Sequence, residues 1–332
     1  MDKRVISLID QALDGKLLAE HDIAFLLSLP VDSEECFALQ WAAGKLGKQL
    51  GKAEVHGQVG INSGLCPCNC SFCSFAASHG IFREKQETSL HEIIDQCRIL
   101  LEKGANAVYL MSTANHDFNR FVHIGQEVRR ELGPGIVLIA NTGDFDSDGA
   151  KALKTAGFDG IYHAVRMGEG QVTRISPQTR LNTIRNAQQA GLLVGTCVEP
   201  IGPEHGLEEL VEKIILTRKI NPQFSGAMRR VNIPGTPLAQ YGMVTELRMA
   251  HILSVVRLAM GHDVAGNCTH EPCVSGVVAG ANLLWAESGS NPRDTEIDTG
   301  KSRGFDPIKC REIFQNGEWP VLDGPSKFIR GE

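Results

Sequence analysis

The phrases EKGANAVYL (102–110), KTAGFDGIYH (154–163) and QQAGLLVGT (188–196) repeat one arrangement. Each ends a helical run, places a glycine (Gly104, Gly157, Gly191) and starts a short apolar run. Glycine tolerates the left-handed conformation that closes a helix, so each phrase reads as a helix C-cap leading into a strand. Further apolar runs fit the same rhythm. Candidate strands are Val55–Ile61, Ala107–Met111, Ile136–Ala140, Gly160–His163, Leu192–Val198, Gly226–Asn232, Val264–Asn267 and Ala281–Ala286. Helix-length patterns such as Ser89–Glu102 and Leu181–Ala190 lie between most of them. Alternation of this kind implies a parallel sheet, and about eight units predict an α/β fold with a closed (β/α)8 TIM-type barrel. A doubly wound open sheet satisfies the same pattern.

Upstream, Met1–Lys52 reads as a helical extension, with apolar residues at three-to-four spacing over Val5–Leu17 and Ser33–Leu50 and Pro30 between them. The expected organisation is an N-terminal helical extension over 1–52, a barrel over 53–290 and a C-terminal tail over 291–332 packing on the barrel. The chain has 332 residues and is 42% hydrophobic, enough for one large core. A formal charge of -6 gives no reason to expect nucleic acid as partner. No apolar run approaches the roughly 18 residues of a membrane span. Ten cysteines without a signal-peptide pattern at Met1–Ala19 indicate a reducing, cytoplasmic setting.

The chemistry concentrates just past the first candidate strand, in Leu65-CPCNCSFC. Cys66, Cys70 and Cys73 form C-x3-C-x2-C, with Phe72 before the last. Three thiolates on one loop can hold three corners of a cubic iron–sulfur cluster and leave the fourth iron open to a small molecule. A structural zinc site wants four ligands, usually two pairs a dozen or more residues apart, and no partner pair lies at that distance. A disulfide framework belongs to short secreted chains. Cys68 interrupts the motif and is read as a non-ligand. In a barrel of this kind chemistry sits at the C-terminal ends of strands, where this loop falls.

Cys66, Cys70, Phe72 and Cys73 after the first strand of a β/α chain resemble the radical S-adenosylmethionine (SAM) enzymes, and within them the biotin synthase-like branch. LDGKLLAEHDIAFLLSLP (13–30), INSGLCPCNCSFC (61–73), VNIPGTPLA (231–239) and the late stretch from RMAHILSVV (248–256) to SNPRD (290–294) carry the likeness, from about Leu13 to Arg293. The late stretch resembles a terminal module of biotin- and thiamine-synthesis proteins, here about 220–295. The resemblance implies a [4Fe–4S] cluster that passes an electron to SAM and releases a 5′-deoxyadenosyl radical. It further implies cofactor contacts at Phe72, Ser112, Arg166, Glu169 and Glu204. Glycine–glycine–acid, usual after the second strand, is replaced by Met111-Ser112-Thr113-Ala114.

True biotin synthases hold a second cluster in the barrel. The matching places here are about Leu110, Ile139 and Gly195, with His270 near an arginine position, so a strict biotin synthase is not expected. Cys197 lies two residues from the fifth-strand position. Cys268, Cys273 and Cys310 instead offer an auxiliary iron–sulfur site, resembling lipoyl synthases in outline, with zinc or plain structural thiols as other readings. His270 and Cys197 are the candidate catalytic groups, while Cys36 and Cys97 belong to helical cores.

The leading expectation is sulfur insertion at carbon, of biotin or lipoyl type. The alternative is rearrangement or fragmentation, as in methylornithine synthase and the iron-hydrogenase maturase. A non-catalytic iron–sulfur carrier or sensor comes third. Implied partners are a small-molecule or carrier-bound acyl substrate and a flavodoxin or ferredoxin donor, with neither nucleic acid nor membrane, and a homodimer is an open option.

Overall fold

Gly104, Gly157 and Gly191 take φ of 96°, 92° and 75°, the left-handed geometry that a cap glycine supplies. They follow helices α4 (Leu90–Glu102), α6 (Ser147–Thr155) and α7 (Pro177–Gln189) and lead into strands β2 (Ala107–Met111), β4 (Gly160–Tyr162) and β5 (Leu193–Gly195). The computed structural model describes residues 1–330. The remaining barrel strands are β1 (Glu54–Gly60), β3 (Leu138–Asn141), β6 (Phe224–Arg229), β7 (Gly266–Thr269) and β8 (Leu283–Gly289). All pair in parallel in the order β7-β8-β1-β2-β3-β4-β5-β6, and β6 pairs back onto β7. The sheet is therefore a closed eight-stranded barrel, and the open-sheet reading is excluded.

Closure creates two apolar layers. Leu110, Leu138, Ile161 and Val194 point outward against the helices. Tyr109, Ile139, Tyr162, Phe224 and Trp285 point inward and fill the lumen. Leu110, expected to mark the cluster position of biotin synthases, therefore faces away from the lumen, and its neighbour Tyr109 faces in. Side chains alternate along a strand, so one residue of misregister changes the face.

The candidate strand Leu192–Val198 divides into β5 and a short strand, Val198–Ile201, which pairs with β6 across a register shift. The first 52 residues form three helices rather than two runs: α1 (Lys3–Leu13), α2 (Glu20–Leu27) and α3 (Glu34–Leu50). They lie against α8 (Leu207–Ile220) and α9 (Glu246–Ala259). At the other end of the chain, α11 (Pro307–Asn316) covers β1 and β8.

The foot of the barrel is stoppered by the last described turn. Buried Glu54 accepts hydrogen bonds from Ser326 Oγ and from the backbone N–H groups of Lys327 and Phe328. Phe328 and Ile329 thereby pack into the lumen below His56 and Trp285.

Arg257, fully buried on α9, holds the following loop by donating to the carbonyls of Gly261, Val264 and Ala265. Burial lowers its pKa to about 10, still charged at neutral pH. Arg257→Met should strand those acceptors and cost about 3–5 kcal/mol. Urea unfolding reads this directly, and a loss below 1 kcal/mol would remove the loop-anchor role.

Candidate active site

The cysteine loop leaves the C-terminal end of β1 and is held in place by backbone bonds. Cys66 N–H donates to Phe75 O, Ala77 N–H to Cys66 O, Cys73 N–H to Cys70 O and Ser71 N–H to Val172 O. Leu65 and Asn69 both take positive φ, 47° and 46°. Asn69 tolerates that region and uses its side-chain oxygen to accept from Ser78 N–H.

Cys66, Cys70, Cys73 and Phe72 line one cavity of about 180 Å³ at the top of the barrel. Ser112, Tyr162, Arg166, Glu199 and His270 line it too. Among the described residues, no three His, Cys, Asp or Glu side chains gather as ligands of one metal ion. A single ion draws its donors onto one point, whereas a cubic cluster takes one thiolate at each of three corners. Three soft donors spread around a loop that faces a cavity fit the larger group.

Cys66 is held down to about 6 by the adjoining Cys68 thiol, while burial pushes Cys70 up to about 11 and Cys73 to about 12. Ligation takes thiolates, so loading this loop releases protons.

Arg166 forms an ion pair with Glu199 on the cavity wall. Glu199, on the short strand Val198–Ile201, was not singled out in the sequence because it and Arg166 come from different β/α units. Glu169 instead folds beneath its own loop, accepting from Arg166 N–H at 2.9 Å and Thr173 Oγ1 at 2.5 Å. It is absent from the cavity lining. Glu204 pairs with Arg230 outside that lining. Both differ from the expectation of cofactor contact. Ser112 Oγ is 2.8 Å from Thr142 Oγ1 and borders the cavity.

His163 and Arg180, which also line this cavity, flank Asp144 at 2.9 and 3.0 Å. Burial opposes the Asp144 charge, but these partners outweigh it and hold the carboxyl at about 2.

His270 stacks on Trp285, with centroids 4.8 Å apart, and its Nδ1 lies 3.2 Å from Glu287. It also borders a second cavity of about 360 Å³ lined by Arg229, Arg303 and Cys273. Burial lowers the His270 pKa, which favours the neutral ring.

Glu287 resists burial through Arg293 and His270 and is held at about 2. A depressed carboxyl contributes stability that is present above the unfolded pKa and lost as pH falls through the folded one. From about 4.3 down to about 2, Glu287 should account for on the order of 3 kcal/mol. Urea unfolding of Glu287→Gln across that window should show a flatter acid slope than the parent, and parallel slopes would contradict the assignment.

The late cysteines are not brought together as expected. Cys310 sits in the outer layer on α11, its thiol 3.4 Å from Trp285 O. Cys273 lines the second cavity at the start of α10 (Val274–Val278). Cys268 lies inside the lumen, its sulfur 3.0 Å from that of Cys197. The proposed auxiliary set is thus divided among three compartments. Cys36 and Cys97 are fully buried.

Residues 63–216 match the radical SAM superfamily. The chain carries a radical SAM domain and is similar to biotin synthases. It is 28% identical over 244 residues to the biotin synthase of Nocardioides sp., covering 70% of this chain and 64% of that protein. The biotin synthase of Desulforudis audaxviator is 27% identical over 266 residues, covering 75% and 78%. The chain thus spans less than two thirds of the first relative's length. Among solved structures, methylornithine synthase superposes with a TM-score of 0.80 at 21% identity, over 97% of this chain and 98% of that one. The FeFe-hydrogenase maturase HydG from Carboxydothermus hydrogenoformans gives 0.76 at 18%, over 94% and 78%. These likenesses show the (β/α)8 barrel as the fold. A radical SAM domain implies a [4Fe–4S] cluster and SAM. No helix among the described residues is long and apolar enough to cross a membrane.

Proposed function

We propose that this chain carries out SAM-dependent radical chemistry on a small polar substrate, ending in rearrangement or fragmentation of a carbon skeleton. One observation supports it above all: the three loop thiols, Phe72 and the Arg166–Glu199 pair face a single cavity. When bound there, the cluster and SAM supply a 5′-deoxyadenosyl radical able to take hydrogen from an unactivated carbon. Cys66, Cys70 and Cys73 would hold the cluster.

Arg166, oriented by Glu199, offers a guanidinium suited to a carboxylate. Phe72 supplies an apolar face and Ser112 a hydroxyl, while the buried wall keeps water from reactive carbon. His270, with Glu287 beside Nδ1, leaves its other ring nitrogen available to hold or move a proton.

Sulfur insertion of biotin or lipoyl type is the reading that the relatives' names favour. The separation of Cys268, Cys273 and Cys310 weighs against it, because a sulfur-donating cluster needs its ligands together. The test is iron and acid-labile sulfide per chain after anaerobic reconstitution, in the parent and in a Cys66/Cys70/Cys73 triple alanine variant. About four irons falling to none supports the proposal. About eight falling to four would establish a second cluster and restore sulfur insertion.

A further inference from the structure

The lumen beneath the cavity holds a thiol pair that the radical chemistry above does not use. Val198 pairs with Ala227, and Cys268 pairs with Gly226. Cys197, Gly226 and Cys268 therefore stand in one row across three adjacent strand segments. The middle position has no side chain, and a Cβ there would meet Cys268 O at 2.1 Å. With nothing between them, the flanking sulfurs approach to 3.0 Å. Both residues are at most 2% exposed.

Tyr162 connects this pair to the cavity. It is 4% exposed, it lines the cavity, and its buried hydroxyl has the Cys197 thiol as its polar neighbour. Its ring is clamped between Phe224, stacked at 6.1 Å, and Trp285 at 5.8 Å. Burial raises the pKa of Tyr162, and burial together with Cys268 raises that of Cys197. Both thus keep their hydrogens at neutral pH, the state a hydrogen-atom donor needs and the opposite of what a metal ligand or nucleophile needs.

We propose that Tyr162 gives a hydrogen atom to the carbon radical formed in the cavity and that the Cys197–Cys268 dithiol behind it restores the phenol. The inference rests on the radical chemistry proposed above. In the first step a C–H bond forms, the Tyr162 O–H bond breaks and a phenoxyl radical remains. Cys197 S–H then transfers its hydrogen to the phenoxyl oxygen and becomes a thiyl radical. Cys268 gives up its proton by way of the Tyr162 hydroxyl, which takes it and releases its own into the cavity, and the sulfur joins the thiyl as a disulfide radical anion. One electron passes to an oxidised iron–sulfur or flavin centre, leaving the Cys197–Cys268 disulfide. A small dithiol resets the pair with two electrons and two protons.

The test supplies the reconstituted protein with SAM alone and a one-electron reductant in D2O, where phenol and thiol hydrogens exchange for deuterium. With no second substrate, the radical from SAM itself takes the exchanged atom. The expected product is singly deuterated 5′-deoxyadenosine, with a Cys197–Cys268 disulfide found by peptide mass spectrometry. Tyr162→Phe should lower the deuterated fraction at least tenfold. Cys268→Ser should keep first-turnover deuterium and lose the disulfide.

Independently, the cluster-free protein treated with diamide should yield the same linked peptide, a readout that needs no turnover. Unlabelled 5′-deoxyadenosine from the parent, or no linked peptide after diamide, overturns the relay while leaving the radical proposal intact. Absence of any 5′-deoxyadenosine overturns both.

Discussion

Cys70→Ala is expected to remove the iron–sulfur cluster and all SAM cleavage in one step. Cys70 is the middle donor of a loop whose other thiols, Cys66 and Cys73, cannot by themselves hold three corners of a cube. The loop backbone is fixed by bonds to Phe75, Val172 and Ala77 that do not involve the Cys70 side chain. The variant should therefore fold, and its thermal midpoint should stay near that of the parent. Iron should fall from about four per chain to under one, and 5′-deoxyadenosine should drop below detection. Cys68, two residues away, is the natural substitute ligand. Persistent cleavage would mean that it takes over and that the ligand assignment of the loop is wrong. Cys68→Ala should leave iron content unchanged, which separates the two outcomes.

Arg166→Ala should weaken SAM binding about 100-fold, roughly 2.8 kcal/mol. Burial alone would depress this guanidinium's pKa, but Glu199 more than offsets that and keeps it charged. Removing the cation takes away the group best suited to a carboxylate and leaves Glu199 facing the ligand as an unpaired anion. Both effects act in the same direction. Adding Glu199→Gln should recover part of the loss, since the repulsion goes while the missing contact does not return. Calorimetric titration of the cluster-loaded protein gives the constants, and a Kd within threefold of the parent would show that Arg166 serves the wall rather than the ligand.

The sequence carried the barrel because its signals are local. Gly104, Gly157 and Gly191 each mark a cap that must be glycine-like whatever surrounds it. The cysteine loop was legible for the same reason: its donors lie within eight residues of chain and need no partner from elsewhere. What failed to show was assembled across strands. Glu199 meets Arg166 only after two β/α units close side by side. Glu169 and Glu204 occupy plausible positions in the chain, yet Thr173 and Arg230 claim them.

The inward turn of Tyr109 rather than Leu110 depends on strand parity, which a shift of one residue reverses. Helix α2 was hidden because EHDIAFLL presents apolar residues around most of its circumference, so no stripe announces it. The grouping of late cysteines followed their closeness in sequence, but β7, α10 and α11 carry them to the lumen, the rim and the outer layer.

The segment clasped by Glu54 has a kinetic corollary. Side chains fill the lumen and the clasped segment seals it from below, so whatever occupies the upper cavity exchanges with solvent across the rim and not along the barrel axis.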